Sequence, residues 1–268
     1  YEILVLDNGS TDDTSRLVRS MISSQPSHNI RHIFESTPGL LSGRHRGALE
    51  AKSDILIFVD DDIEASPDWL NSIMETFQDP GVQLVGGPSH PKYEIEPPEW
   101  LEAFWRREPG HHECSCLSLL DLGSTVLEID PNYVWGLNFA IRKSTLFSLG
   151  GFHPDCIPKH LQRFQGDGET GLTMTAKDLG FKALYQPKAM VHHVIPKERL
   201  TLEYFDQRMF YQGVCNSFTQ IRQERLQSTY KHKSLKSRLL NSLGMPKRLV
   251  RYVQQKIAAD PYRHIKQR

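Results

Sequence analysis

The chain has 268 residues, of which 38% are hydrophobic and 24% charged, and its 32 basic residues are balanced by 32 acidic ones. This length suits one large domain or one domain with an appendage, and no apolar run approaches the roughly 20 residues that span a membrane. The charge is uneven, because residues 221–268 hold 13 Lys and Arg against 2 Asp and Glu. The sequence therefore predicts an acidic body with a basic tail, and an acidic body argues against nucleic-acid binding.

Strands and helices are predicted to alternate along the chain, from apolar runs bounded by Gly, Pro and Asp turns. The first half is expected to form a strand at 2–6, a helix ending near 24, a strand at 30–34, a helix ending near 52, a strand at 55–59, a helix from 67 to about 78 and a strand at 82–85. After an irregular segment at 88–132, the second half is expected to form a strand at 134–141, helices at 143–149 and 169–179, strands at 181–185 and 189–194, and a helical tail from 200 that breaks at 244–246. This order predicts an α/β fold with a mostly parallel central sheet flanked by helices.

The acidic triplet Asp60, Asp61 and Asp62 directly follows the apolar run at 55–59, which is predicted to be the central buried strand. Carboxylates this close repel one another, and a cation between them relieves the repulsion. Hard oxygen ligands on one short turn suit Mg²⁺ or Mn²⁺, especially a cation shared with phosphate oxygens. Because ligands of open α/β sheets bind beyond the carboxyl ends of the strands, the triplet predicts a metal site there. The alternative is a solvated acidic turn.

Other candidate residues have both a functional and a structural interpretation. Asp7 ends the first strand, where it could contact a nucleotide or close an Asx-turn with the two residues that follow it. Asp167 and Glu169 stand at the start of a helix, as a general base or as acidic residues that suit the helix dipole. His192 and His193 close the last strand, where one of them could complete a metal shell or both could be ordinary strand residues.

Taken together, six segments of the chain resemble family 2 glycosyltransferases with the GT-A fold. They are VLDNGSTD at 5–12, GLLSGRHRG at 39–47, FVDDD at 58–62, WGLNFAIRKS at 135–144, GGF at 150–152 and DGETGL at 167–172. Their order and spacing over about residues 1–195 carry the resemblance. It implies a GT-A glycosyltransferase domain at 1–199 and a basic helical extension at 200–268.

The resemblance also implies roles in donor binding. The nucleotide-sugar site would consist of Asp7 on the base, Asp60 on the ribose, Arg44 near the nucleotide or diphosphate, and Asp61 beside them. Asp62, the last member of the family's Asp-x-Asp motif, would hold Mg²⁺ or Mn²⁺ together with His193. His193 is preferred to His192 because a gapless count places it on the family's strand-end histidine.

Two assignments around the reaction centre follow from the same resemblance. Trp135, Gly136 and Asn138 would lie on the acceptor side of the donor sugar. The catalytic base would be Glu169, by a gapless count back from Gly180, or Asp167, by the acidic pattern itself.

The chain departs from the family pattern in two places. The family begins with a βαβ unit of about 30–40 residues that helps to hold the nucleotide, and this chain starts at Tyr1 inside the pattern, so it is expected to be truncated at its N-terminus. In addition, His45 follows Arg44 where the family usually has Asn.

The expected activity is inverting transfer of a sugar from a nucleotide-diphosphate sugar, with a UDP-sugar favoured, to a glycan or lipid-linked acceptor in polysaccharide or glycolipid biosynthesis. One alternative is a sugar nucleotidyltransferase, which also uses a metal and acidic residues. Another is a catalytically inactive module that binds nucleotides or glycans.

The basic tail has two interpretations. Residues 231–257 mix Lys and Arg with apolar residues at helical spacing, as expected for a helix on an anionic membrane surface or for helices packed on the domain or on a partner subunit. The apolar positions are Leu235, Leu239, Leu240, Leu243, Leu249, Val250, Val253 and Ile257. The four cysteines form no disulfide framework, which favours a reducing compartment. The expected location is therefore cytoplasmic, with a peripheral position on the inner face of the membrane as the finer hypothesis.

Overall fold

The computed structural model describes the backbone of residues 1–242 and the side chains of residues 1–161 and 163–225. In that part of the chain the helices are α1 (Thr14–Ser24), α2 (Leu40–Glu50), α3 (Trp69–Thr76), α4 (Lys143–Ser148), α5 (Gly168–Asp178) and α6 (Leu202–Ser242). The strands are β1 (Ile3–Asp7), β2 (Ile30–Phe34), β3 (Ile55–Val59), β4 (Ile63–Ala65), β5 (Val82–Gly86), β6 (Ser89–Tyr93), β7 (Arg106–Glu108), β8 (His111–Cys114), β9 (Leu119–Asp121), β10 (Leu127–Ile129), β11 (Asn138–Arg142), β12 (Lys182–Tyr185) and β13 (Val191–Ile195). The α/β class is confirmed.

The five-stranded core sheet has the order β10-β12-β5-β11-β3. The prediction of a mostly parallel sheet is wrong, because β12 and β5 are parallel whereas β11 is antiparallel to both of its neighbours and β10 is antiparallel to β12. Parallel neighbours require a crossover connection, usually a helix. The chain instead reaches β11 after the long excursion that follows β6, and this connection lets β11 enter the sheet in the opposite direction.

Strand β3 is an edge strand of this sheet and not the predicted central one. Within the described residues it pairs only with β11. Its apolar side chains nevertheless pack on both faces, since Leu56 belongs to one core cluster and Ile55 and Ile57 border another. A continuous apolar run indicates that both faces of a strand are covered. It does not report how many neighbours the strand has, which explains the wrong prediction.

The segment at 88–132, predicted to be irregular, forms much of a second sheet with the order β4-β13-β6-β9-β8-β7. Its strands are short, and β6 meets β9 at a single residue pair, Ser89 and Leu120. A separate apolar cluster that includes Leu101, Leu119 and Phe205 supports this sheet. Strands β7, β8 and β9 have only three or four residues and β6 is mostly polar, so none of them shows the apolar pattern that sequence reasoning detects.

Strands β1 and β2 form a parallel pair that is separate from the core sheet. Helix α2 packs closely on β1, because Gly47 leaves room for the side chain of Leu6. A Cβ atom at Gly47 would lie only 3.1 Å from Leu6 Cδ2. This close approach fixes α2, which carries Arg44, beside the carboxyl end of β1.

Helix α6 begins within the first compact unit of the chain, Tyr1–Thr219, and continues into a second unit that starts at Gln220. In the first unit, Phe205 is 1% exposed and packs with Leu200. The predicted helix break at 244–246 and most of the apolar positions at 231–257 lie outside the described residues. Within the described residues, no helix combines the length and the apolar character needed to cross a membrane.

Candidate active site

The buried guanidinium of Arg44 organises the first part of the site. Helix α2 carries Arg44, whose side chain is only 7% exposed. Its Nη2 donates to Asp60 Oδ1 at 2.8 Å and to the Gly136 carbonyl oxygen at 2.9 Å. Its Nη1 lies 3.9 Å from Glu169 Oε2. A buried guanidinium requires such partners to offset its lost hydration. Arg44 therefore holds together residues from the end of β3, the turn before β11 and the first turn of α5.

Asp60 lies close to two further carboxylates, those of Asp62 and Glu169. Burial raises the pKa of Asp60 above its ordinary value, Arg44 opposes this shift, and the nearby charges of Asp62 and Glu169 add to it. A carboxylate with other carboxylates close by favours a cation nearby. Asp61 is exposed and is not brought into this group.

Asp62 and His193 form the second part of the site, together with Arg199. The His193 ring is buried, and its Nδ1 lies 2.8 Å from the Leu117 carbonyl oxygen. We assign the proton to Nδ1, since a carbonyl can only accept, and this assignment leaves a lone pair on Nε2. That lone pair lies 3.3 Å from Asp62 Oδ2. The Arg199 guanidinium bridges the two, because its Nη2 lies 2.8 Å from Asp62 Oδ2 and its Nη1 lies 2.8 Å from His193 Nε2.

This second part fits a divalent cation. Asp62 Oδ2 and His193 Nε2 lie 3.3 Å apart, close enough for both lone pairs to bind one cation. The second oxygen of Asp62, Oδ1, is buried without a hydrogen-bond partner among the described residues. Burial would raise the pKa of Asp62, but the Arg199 guanidinium helps to hold it below its ordinary value, which keeps the carboxylate ionised. Carboxylate oxygen and imidazole nitrogen are both suitable for Mn²⁺. Across the described side chains, no group of three or more His, Cys, Asp or Glu is positioned to hold a metal, so a cation here would need ligands from a substrate as well.

The two candidate bases lie in different surroundings. Glu169 is about one third exposed, and its Oε1 lies 3.3 Å from the Gly136 backbone nitrogen, beside Arg44. Asp167 has no exposed side-chain surface, and its oxygens contact His153 Nδ1 and, at 2.9 Å, Thr219 Oγ1 of α6. Glu169 and Asp60 are both partly exposed and both lie beside Arg44, and the crevice is the space that these three residues share. Asp167 is enclosed between α6 and the loop before α5.

The acceptor-side residues predicted from the sequence are only partly brought to the crevice. Strand β11 begins at Asn138 and not at 134, because residues 135–138 form a turn. Gly136 in this turn touches the site so closely that a Cβ would lie 2.7 Å from Arg44 Nη1 and 2.8 Å from Glu169 Oε1. Asn138 is buried, and its amide bonds to Trp69 and to the Ala189 carbonyl. Trp135 donates to the Asn132 carbonyl.

The carboxylate of Asp7 bonds to the turn that follows β1 and to helix α1. Its carboxylate is buried and accepts hydrogen bonds from the backbone nitrogen of Ser10 at 2.9 Å and from Ser15 Oγ at 2.5 Å, and His32 Nε2 lies 3.3 Å away. These contacts close the turn one residue later than an Asx-turn would, and they anchor α1 to the end of β1. The suggested contact with a nucleotide base stays a prediction.

The ionised Asp7 is expected to contribute a pH-dependent part of the stability. The hydrogen bonds from Ser15 and Ser10 hold the pKa of Asp7 well below its ordinary value of 3.8. Because the folded-state pKa is lower, this stabilisation is fully present above about pH 4 and is lost as the pH falls further. We expect the free energy of unfolding of the wild type to fall more between about pH 5 and pH 3 than that of Asp7→Asn. Urea unfolding at both pH values measures this, and equal falls would contradict it.

Sequence reasoning missed two residues that shape the site, Arg199 and His153, and it gave no role to a third, His45. Arg199 stands six residues after His193 in a single 3-10 turn, where no periodic pattern marks it. His153 orients Asp167 and lies on an irregular loop. His45, the departure from the family pattern, accepts a hydrogen bond from the Phe152 backbone nitrogen at 2.8 Å and has a pKa that burial and His153 lower. A neutral imidazole can fill this acceptor role.

Comparisons with known proteins show what the chain is similar to. Residues 1–120 match the model of glycosyl transferase family 2. The chain is 24% identical over 187 residues to a glucosyl-dolichyl phosphate glucuronosyltransferase of Haloferax volcanii, covering 69% of this chain and 56% of that protein. It is 25% identical over 211 residues to the succinoglycan biosynthesis protein ExoM of Rhizobium meliloti, covering 79% and 62%. The chain thus spans less than two thirds of either relative.

Among solved structures, the chain is similar to the mannosyltransferase PcManGT of Pyrobaculum calidifontis in complex with GDP-Man and Mn²⁺. The TM-score is 0.50 at 19% identity, over 73% of this chain and 48% of that one. This likeness confirms the predicted GT-A fold. The match of residues 1–120 shows that this part of the chain is similar to glycosyl transferase family 2, the family predicted from the sequence.

Proposed function

We propose that this chain transfers a sugar from a nucleotide-diphosphate sugar to an acceptor hydroxyl with inversion at the anomeric carbon. The observation that carries the proposal is the convergence of Arg44, Asp60 and Glu169 on one crevice next to the Asp62–His193 pair. Such a crevice offers one carboxylate for proton transfer and a separate cation site for the phosphates. The names of the two relatives, a glucuronosyltransferase and a succinoglycan biosynthesis protein, support this class of reaction.

In this proposal Asp60 and Asp62 bind different parts of the donor complex. Asp60, fixed by Arg44, receives the ribose, and Asp62 with His193 holds Mg²⁺ or Mn²⁺. When bound, the cation supplies positive charge against the negative charge that builds on the departing diphosphate. Mn²⁺ is named in the PcManGT complex, which supports this choice for a protein of the same fold.

Glu169 is the proposed general base. Its carboxylate takes the proton from the acceptor hydroxyl, and the resulting oxygen forms a bond to the anomeric carbon as the bond to the diphosphate oxygen breaks. The electron pair of the broken bond leaves with the nucleoside diphosphate. Because attack and departure occur on opposite faces in one step, configuration inverts and no covalent enzyme intermediate is needed.

The proposed substrates rest on the names of the relatives and on a cavity beside the second sheet. One relative is named for a dolichyl phosphate substrate, which supports a lipid-linked or glycan acceptor. A cavity of about 410 Å³ lies against β6, β8 and β9, and its lining includes Tyr93, Trp105 and Asp121. Aromatic faces with adjacent carboxylates suit sugar rings, so we assign part of the acceptor to this cavity. The basic tail would keep the enzyme at an anionic membrane surface on its cytoplasmic side.

The first experiment is a calorimetric titration of UDP, GDP and dTDP, each with and without Mn²⁺. We expect one nucleotide, with UDP favoured, to bind at least about tenfold more tightly with Mn²⁺, because the cation neutralises both the diphosphate and Asp62. The same titration on Arg44→Lys is a matched control that keeps the charge but loses the bridging hydrogen bonds, and it is expected to bind more weakly.

Binding of every nucleotide without any dependence on Mn²⁺ would overturn the metal-assisted mechanism. Release of pyrophosphate in place of a nucleoside diphosphate, in an assay with a sugar phosphate and a nucleoside triphosphate, would identify a nucleotidyltransferase instead. Binding without turnover of any donor would identify the inactive binding module.

A further inference from the structure

We propose that Arg199 is an internal cation that competes with the divalent metal for Asp62 and His193, so that metal binding requires the guanidinium to leave. This inference rests on the proposed metal site and adds a residue that neither the sequence pattern nor that site assigned. Its consequence is that the free protein binds Mn²⁺ weakly and binds it well only when a nucleoside diphosphate provides a new anionic partner for Arg199.

The geometry makes the two cations mutually exclusive. Arg199 Nη1 lies 2.8 Å from His193 Nε2, and the Leu117 carbonyl oxygen, 2.8 Å from Nδ1, fixes the ring so that Nε2 carries its single lone pair. That lone pair can serve a guanidinium proton or a metal, but not both. Arg199 Nη2 also lies 2.8 Å from Asp62 Oδ2, the oxygen nearest to the ring. A metal on these two atoms would stand where the guanidinium now lies, against its like charge.

The guanidinium also explains why two lone-pair donors lie so close together. Asp62 Oδ2 and His193 Nε2 are 3.3 Å apart, and with the ring proton on Nδ1 neither atom can donate to the other. Two acceptors at this distance repel unless a cationic donor joins them. Arg199 supplies that donor here, so the pair is already arranged around a positive charge before any metal arrives.

The backbone around Arg199 is anchored, whereas its side chain is able to move. The 3-10 turn Lys197–Arg199 is fixed at its start by a 2.9 Å hydrogen bond from the Lys197 backbone nitrogen to Glu94 Oε2. It is fixed at its end by Leu200, which is 6% exposed. The Arg199 side chain is about one third exposed and reaches solvent. Release of the guanidinium therefore needs only rotations about side-chain bonds, and the displaced charge would remain beside the incoming diphosphate.

The test measures Mn²⁺ binding directly, by calorimetry and by the electron paramagnetic resonance signal of free Mn²⁺, without nucleotide and without turnover. The variants are Arg199→Gln, Lys197→Gln and Arg199→Gln combined with Asp62→Asn. Lys197 is the matched control, because it lies on the same turn and carries the same charge but has no part in the Asp62–His193 pair. Loss of hydrogen bonds from a competing charged group corresponds to about a tenfold or larger change in affinity.

We expect Arg199→Gln to bind Mn²⁺ about tenfold or more tightly than the wild type, Lys197→Gln to match the wild type, and the double variant to lose the gain. Equal or weaker Mn²⁺ binding by Arg199→Gln, or an equal gain in Lys197→Gln, would overturn the inference. If Arg199→Gln fails to fold, Arg199→Lys serves, since a single ammonium cannot bridge both acceptors and an intermediate gain is expected; no gain in that variant would also overturn it.

The outcomes separate this inference from the proposed function. Tighter, Asp62-dependent Mn²⁺ binding by Arg199→Gln without any nucleotide binding would support the competition and contradict the transferase. Mn²⁺-dependent nucleotide binding by the wild type, with no change of Mn²⁺ affinity in Arg199→Gln, would contradict the competition and leave the transferase standing.

Discussion

Replacement of Asp62 by Asn is expected to remove metal-dependent donor binding and to lower turnover about a hundredfold or more, since a metal contributes several kcal/mol to stabilisation of a leaving group. Asn keeps the size of the side chain, and its oxygen still accepts a hydrogen bond from Arg199, so the fold is expected to persist. What it loses is the negative charge that faces His193 Nε2 at 3.3 Å. Turnover measured against Mn²⁺ concentration, with a melting curve for each variant, provides the measurement.

The matched control for this prediction is Asp61→Asn. Asp61 is the adjacent residue, it is exposed, and the variant loses the same charge. We expect its Mn²⁺ dependence to stay close to that of the wild type. A metal-dependent turnover that is unchanged in Asp62→Asn, or equally reduced in Asp61→Asn, would show that Asp62 does not hold the cation.

The sequence allowed this part of the site to be predicted because the site depends on local features. An apolar run ending in three carboxylates is visible within eight residues, and the end of a strand is where sheets bind ligands. The structure places Asp60 and Asp62 at that strand end, with Asp62 beside His193. The preference for His193 over His192 came from the resemblance. In the structure the two rings lie on opposite faces of β13, as neighbouring strand residues do, with His193 beside Asp62 and His192 beside His90.

Features that depend on distant contacts were not predictable in this way. The position of β3 at the edge of the core sheet depends on which strands the long excursion brings beside it, and an apolar run contains no such information. The strands between 89 and 121 are too short or too polar to show an apolar pattern. Arg199 reaches the Asp62–His193 pair only because β13 and the following turn direct it back across Asp62, a relation between residues 137 positions apart that spacing does not encode.

The choice between Glu169 and Asp167 also depended on contacts with distant residues, although the two residues are close in the sequence. Spacing placed both residues at the start of α5 and could not choose between them. Successive helical residues are rotated by about 100°, so positions two apart near a helix start point to nearly opposite sides. Glu169 lies beside Arg44 and Gly136, whereas Asp167 lies against His153 and Thr219. Only the packing of α6 against this loop distinguishes the two sides.

Replacement of Glu169 by Gln is accordingly expected to lower kcat by about 10²- to 10⁴-fold, the range for loss of a positioned general base. Donor binding should stay near the wild-type value, because Gln keeps the contact with the Gly136 nitrogen as an acceptor and no proton leaves the acceptor sugar until the chemical step. The assay is nucleoside diphosphate release at saturating donor, with donor affinity measured separately by titration. A variant that retains most of its kcat would exclude Glu169 as the base.

Asp167→Asn provides the contrasting result. Its carboxylate is buried and bonded on both sides, so the amide is expected to cost about 1–3 kcal/mol of stability by leaving one of these contacts imperfectly matched. Turnover of the folded fraction is expected to change much less than in Glu169→Gln, since no described contact brings Asp167 to the crevice. If instead Asp167→Asn folds normally and loses turnover while Glu169→Gln retains it, proton transfer would pass through the His153–Asp167 pair. The histidine, with its Nδ1 held by Asp167, would then be the group that meets the acceptor hydroxyl.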